Sequence, residues 1–201
     1  GIWSSSAAQH SQSLEAWFAH IPGLVVVTPG TPADNHGLLL AALASGDPVV
    51  YMEHKELWGT QGEVTPGAMV PLGQARVVRE GADVTLVSWS RQMQACEQAA
   101  AQLAAQGVQA ELIDLRTLWP WDKEAVLASV AKTGRLLVVH EAVQAAGFGA
   151  EVAATVAEHT SARVARLGAP RIPVGYAAPL EAESRIDAVK IAAAVHRLIE
   201  R

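Results

Sequence analysis

From residue 84 onward, short apolar runs alternate with longer stretches of helical periodicity, and the connections between them are short. Residues 84–89 read as a strand, 92–106 as a helix closed by Gly107, and 108–114 as a strand. Asp122 caps a helix reaching about Lys132, and 136–140, 148–159 and 164–167 continue as strand, helix and strand. A crossing marked by Pro170, Pro173 and Pro179 leads to a final helix over about 185–201. Consecutive strands joined through helices pair in parallel, so the order predicts an α/β fold, a parallel sheet with helices on both faces. Half of the residues are hydrophobic and only 5% are aromatic, which suits helices packed closely on such a sheet.

The first part of the chain has a different texture. In residues 9–24 the apolar Leu14, Trp17, Phe18 and Ile21 fall at helical spacing, and Pro22-Gly23 ends that helix before a strand at 24–27. This reading puts His10 and Ser11 at the helix entrance, where unpaired N–H groups make the dipole positive. Ser11 is then a capping residue, and His10 is free to face a cleft as a candidate catalytic histidine. Residues 1–9 show no period and read as a loop. After the turn at 28–32, Thr31 is a good N-cap, Pro32 suits the first helical position and Asp34 completes a capping-box-like pair. The helix carries Leu38, Leu39, Ala42 and Leu43, Gly46 ends it, and 48–52 is a strand. Gly59, Gly62, Pro66, Gly67 and Pro71 then break the pattern. We place a boundary there, with one unit over 1–58, a linker over 59–71 and a second unit over 72–201.

Several classes of function are disfavoured. The formal net charge is -5 with mixed signs, so no basic stripe suggests nucleic acid and no polybasic tract suggests an anionic membrane. The apolar runs are too short to span a bilayer, and no secretory signal opens the sequence. A single cysteine, Cys96, excludes an internal disulfide and suits a reducing cytoplasm. Its helical spacing with Ala99, Ala100 and Leu103 marks it as core. The histidines are scattered, with no zinc-binding pattern.

Ligands of open parallel sheets gather at the carboxyl ends of the strands. Here those ends hold Ser88-Trp89-Ser90, Asp114-Leu115-Arg116-Thr117 and His140-Glu141. His140 and Glu141 suit acid–base work, although adjacent strand residues point apart and the simpler reading is that they bridge loops. Arg116 can pair with Asp114 or with Glu141, as a structural contact. Residues 147–151 open a helix and can cradle an anion, but Glu151 opposes a phosphate, which favours a tight turn. His20, His36 and His54 show no obvious partners. Trp119 and Trp121 flank Pro120 and either form an interface or pack under the following helix. The helix end at Ala42, Leu43, Ser45 and Asp47 offers free carbonyls that can hold a monovalent cation; the alternative is an ordinary glycine cap.

The stretches QHSQSLEAWFAHIPGLVVVTPGTPADNHGLL (9–39), DPVVYMEHKELW (47–58), GADVTLVSWS (81–90), ELIDLRTLWPWD (111–122), KTGRLLVVHEA (132–142) and GFGAEV (147–152), with the Pro-rich tail at 169–181, resemble one family in colinear order. It is the beta subunit of the thiamine-diphosphate-dependent 2-oxo acid dehydrogenases, the decarboxylating component acting on pyruvate or branched-chain substrates. The resemblance implies the second half of a transketolase-like pyrimidine-binding domain followed by a transketolase C-terminal-type, three-layer domain with a mostly parallel sheet. It implies that His10 reaches the active site and serves acyl transfer to a lipoyl thiol. It also implies a potassium site at Ala42, Leu43, Ser45 and Asp47, where Ser45 stands for an acidic residue and Asp47 for an amide. The glutamate that activates the cofactor belongs to the family's N-terminal part, outside these residues.

The expectations that follow are a beta-subunit portion working with an alpha subunit and a second beta subunit, with thiamine diphosphate and Mg2+ held mainly by alpha. The isolated chain should decarboxylate nothing. A different class of reading is a docking module for the subunit-binding domain of the acyltransferase core. A weaker one is a transketolase-like enzyme on sugar phosphates, against which the lack of clustered basic residues counts.

Overall fold

The computed structural model describes residues 1–200. Two sheets form its frame. The smaller sheet contains β1 (Val25–Val27) and β2 (Val49–Tyr51) in parallel, joined by helix α3 (Pro32–Ala44). The larger sheet has five strands: β3 (Arg76–Arg79), β4 (Val84–Ser88), β5 (Ala110–Asp114), β7 (Arg135–Val143) and β8 (Arg163–Ala169), in the order β3-β5-β4-β7-β8. β4, β5, β7 and β8 pair in parallel, and β3 adds an antiparallel edge on β5.

Alternation along the strands decides what each face buries. Leu86, Leu112 and Leu137 point into a core with α4 (Gln92–Ala104) and α8 (Ala188–Ile199). Val87, Ile113, Leu136 and Val138 point the other way, onto α5 (Lys123–Thr133) and α6 (Gly149–His159). That second core also takes in Val26 of β1, so the small sheet is packed against the large one through shared apolar side chains. Cys96 lies fully buried in the first core, and burial pushes its thiol up to about 12.

Two of the expected caps are present. Thr31 Oγ1 accepts from the Asp34 N–H at 3.1 Å and donates to the Asp34 carboxylate at 2.7 Å. Asp122 Oδ1 accepts from the Ala125 N–H at 3.0 Å, and Gly134 closes α5 in the left-handed conformation.

Besides the edge strand β3, four features differ from the sequence reading. Residues 7–10 form a short helical turn, α1 (Ala7–His10), and α2 (Glu15–Ala19) starts only at Glu15, so the apolar stripe is interrupted. Trp17 and Ile21 stay exposed, because α2 is too short to bury a whole face. Thr117–Trp119 is a strand, β6, which pairs antiparallel with β1 and completes the smaller sheet in the order β2-β1-β6. The final helix is two helices, α7 (Ala178–Ser184) and α8, separated where Arg185 takes an extended backbone and Asp187 caps α8.

Candidate functional site

The seam between the sheets gathers polar residues from four segments. Glu15 opens α2, Glu53 and His54 follow β2, Trp89 follows β4, and Glu141 lies near the end of β7. His54 Nε2 sits 3.0 Å from Glu141 Oε2, with both side chains almost fully buried. His54 Nδ1 accepts the Glu56 N–H at 3.2 Å, so the ring proton lies on Nε2 and is donated to Glu141. The Ile2 N–H is a second donor to Glu141. Burial works to raise the Glu141 carboxyl, but the hydrogen bond from His54, with the Ile2 N–H, holds it below its ordinary value. Glu15 accepts from Trp89 Nε1 at 3.2 Å, and burial raises its carboxyl.

His140 and Glu141 do point apart. The His140 ring is fully buried and stacks on Trp89 with centroids 5.4 Å apart. Its Nδ1 donates to the Ala142 carbonyl at 3.0 Å, and burial pushes its pKa down to about 4. Gly147, Gly149 and Gly168 press on the ring, where an added Cβ would come within 2.6 to 2.7 Å of ring atoms. The glycines at 147 and 149 therefore have a packing role, to admit the histidine. Trp121 meets Phe148 edge-on at 6.4 Å, while Trp119 is half-exposed.

A second polar centre joins the sheets. Arg116 Nη1 donates to Asp34 Oδ1 at 3.1 Å, and its Nε and Nη2 donate to the Gln74 carbonyl at 3.1 and 2.8 Å. The Arg116 N–H also donates to Asp114 Oδ1 at 3.1 Å. Arg76 Nη2 lies 3.3 Å from both Asp34 Oδ2 and Asp114 Oδ2. Burial, reinforced by the Asp34 charge, pushes the Asp114 carboxyl up to about 7. Arg116 is thus committed to Asp34, and Glu141 to His54.

His10 is the last residue of α1 and is exposed, with its carbonyl accepting from Lys55 Nζ. The expected placement at a helix N-terminus is corrected: the chain breaks after His10, and the dipole argument does not apply. Ser11 caps nothing; its hydroxyl is buried without a hydrogen-bond partner among the described residues. Ser45 turns back onto the helix end, donating from Oγ to the Ala42 carbonyl at 3.0 Å, while the Asp47 N–H donates to Ser45 Oγ at 3.3 Å. Leu43 and Asp47 are exposed there, and Gly46 takes a positive φ. The cap is closed by Ser45 rather than left open at Ala42.

Two grooves border the seam. One of about 490 Å3 is lined by His36, Leu39, Glu53, His54, Leu57 and Trp58, among others. Another of about 610 Å3 lies between His20 and Ile21 on one side and Trp119 and Phe148 on the other. The His54–Glu141 pair, the Glu15–Trp89 contact and the Arg116–Asp34 pair are polar features that the sequence reading did not anticipate.

A model of the transketolase pyrimidine-binding domain matches residues 1–60, and one of the transketolase C-terminal domain matches 73–191. The chain is 43% identical over 205 residues to the beta subunit of acetoin:2,6-dichlorophenolindophenol oxidoreductase from Cupriavidus necator, covering all of this chain and 61% of that protein. It is 41% identical to the 2-oxoisovalerate dehydrogenase beta subunit of Bacillus subtilis, covering 96% of this chain and 62% of the relative. It is 38% identical to the mitochondrial pyruvate dehydrogenase E1 component beta subunit of Dictyostelium discoideum, covering 96% and 57%. The chain therefore spans about three fifths of these relatives. A solved structure described as a split-gene transketolase, an inactive beta4 tetramer, superposes with a TM-score of 0.84 at 25% identity, over 96% of this chain and 63% of that one.

Proposed function

Because this chain belongs to the transketolase-like family that includes the 2-oxo acid dehydrogenase beta subunits, we propose that it is the beta-subunit portion of a component that decarboxylates a 2-oxo acid and passes the acyl group to lipoyl. The observation that supports this best is similarity to such subunits through both units, over 96% of the chain. The family uses thiamine diphosphate. When bound, that cofactor supplies the carbon nucleophile that attacks the 2-oxo carbonyl and accepts the electrons of decarboxylation.

We assign the Mg2+–diphosphate end of the cofactor to the alpha subunit, in an assembly with a second beta subunit. His10, exposed at the end of α1, is the residue we assign to proton delivery or removal during acyl transfer. In the full-length assembled enzyme, His10→Ala should lower lipoyl acylation by about 10² or more. Unchanged overall turnover would remove His10 from the mechanism. Potassium at Ala42, Leu43, Ser45 and Asp47 would have to displace Ser45 Oγ from the Ala42 carbonyl. Equal melting temperatures in K+ and Na+ would count against that site.

A docking role is a second reading, supported by exposed Tyr176, Leu180 and Val189 around α7 and α8 on an acidic chain. Titration of the full-length protein with an acyltransferase subunit-binding domain separates the two. Salt-sensitive binding that Leu180→Ala weakens supports docking, and no binding counts against it. Among the described residues, no helix is long and apolar enough to cross a membrane.

A further inference from the structure

Glu15, His54 and Glu141 come from three separate segments and line one cavity of about 50 Å3. That volume has room for water and is small for a substrate. Both carboxyl groups are buried, and their donors differ in kind. Glu141 receives the His54 Nε2–H at 3.0 Å and the Ile2 N–H, whereas Glu15 receives the indole N–H of Trp89 at 3.2 Å.

Several other polar groups near the cavity are engaged elsewhere. Arg91 pairs with Glu56 at 2.8 Å, and Glu56 with Arg185 at 2.6 Å. Glu53 accepts from Asn35 at 3.1 Å, Lys55 donates to the His10 carbonyl, and the Gly1 nitrogen donates to the Gln12 carbonyl at 2.7 Å.

Two buried carboxylates lining one small pocket cannot both ionise cheaply. We propose that Glu15 and Glu141 share a single proton through water in this cavity, and that His54 assigns it to Glu15, so that the seam is a proton-storage site. In the transfer, the Glu15 O–H gives its proton to the water, the water passes one of its own to Glu141, and Glu15 is left as the carboxylate. No electrons change hands. His54 acts as a positioning residue: its donated Nε2–H favours the ionised form of Glu141 and thereby keeps the proton on Glu15. The raised Glu15 carboxyl and the lowered Glu141 carboxyl agree with that assignment. His54 and Glu53 also line the 490 Å3 groove, so the stored proton lies one imidazole away from a space that admits a ligand.

The test is carbon NMR of the full-length protein labelled at the glutamate carboxyl carbons, followed from about pH 5 to about pH 8 at a mid-range reference near neutrality. One glutamate carbon should remain in the protonated position at neutral pH and be missing in Glu15→Gln. In His54→Leu the protonated signal should move to the Glu141 carbon. The proposal fails if every wild-type glutamate is ionised at neutral pH, if the protonated signal persists in Glu15→Gln, or if His54→Leu leaves it on Glu15. The wild-type titration needs no variant, so it decides the matter even where Glu15→Gln does not fold.

Discussion

Arg116 donates to Asp34 across 82 positions of sequence, from Nη1 to Oδ1 at 3.1 Å. The bond ties the β5–β6 corner, where Arg116 adopts a positive φ of 57°, to the first turn of α3. Both side chains are buried, and Arg76 reaches into the same cluster. The small sheet is therefore fastened to the large one by charge as well as by the apolar contact of Val26.

Arg116→Ala should be strongly destabilising. It leaves Asp34 with one guanidinium fewer and strips the Gln74 and Ala75 carbonyls of their donor. Breaking a buried pair by removing one partner costs about 3–5 kcal/mol. Arg116→Lys should recover little, because a single ammonium cannot serve Asp34 and two carbonyls in the same fork geometry. Urea unfolding measures both; a loss below about 1 kcal/mol, the range of a surface pair, would mean the cluster is solvated.

The same cluster predicts a pH dependence of stability. The Asp114 carboxyl lies near 7 in the folded state, above its ordinary 3.8, so the folded state holds this proton more tightly than the unfolded one. Its contribution is fully present below about pH 4 and is lost as pH rises toward 7, at up to about 1.4 kcal/mol per pH unit. His140 acts in the opposite sense. Its pKa is pushed down from 6.5 to about 4, so its contribution is lost as pH falls through that window. Asp114→Asn should remove the first slope and leave the opposed contributions of His140 and Glu15. Unfolding free energies at several pH values check this, and parallel profiles for wild type and variant would contradict it.

Gly149→Ala should destabilise through His140. The new Cβ would fall 2.6 Å from Cδ2 and 2.7 Å from Nε2 of a ring held between Trp89 and the Ala142 carbonyl. Overpacking of this kind costs about 1–3 kcal/mol. In the double variant with His140→Ala the penalty of the added methyl should largely vanish. A double-mutant cycle on melting curves reads that coupling, and additive effects would show that the glycine serves something other than the ring.

Thr31→Ala should cost about 1 kcal/mol, the usual value of an N-cap. Its hydroxyl both receives the Asp34 N–H and donates to the Asp34 carboxylate, so the loss also loosens an acceptor of Arg116. Thr31→Ser, which keeps the hydroxyl, should lie within a few tenths of wild type. A cap with no measurable effect by urea unfolding would separate α3 from the charged cluster.

Local chemistry was legible wherever one segment carries its own instructions. The caps at Thr31 and Asp122 and the burial of Cys96 all follow from neighbours a few residues away. β6 was not legible: it has three residues ahead of Pro120, and its partner is β1, far away in sequence. His10 was misplaced because apolar spacing suggested one continuous helix, whereas the chain breaks between α1 and α2 and leaves Trp17 exposed. His54 gave no signal, since its partner Glu141 lies 87 residues away.

By itself, the sequence determined the alternation of strands and helices, and with it the parallel core of the larger sheet. Periodicity and turn chemistry act within a few residues and need no long-range contact to operate. The tertiary structure alone decided which polar strand ends meet: His54 with Glu141, Glu15 with Trp89, and Arg116 with Asp34 rather than with Glu141. The physical reason is that a charge removed from water needs a partner within about 3–4 Å. Only the packing of one sheet against the other, through Val26 and the apolar face it shares with α5 and α6, brings those partners within reach.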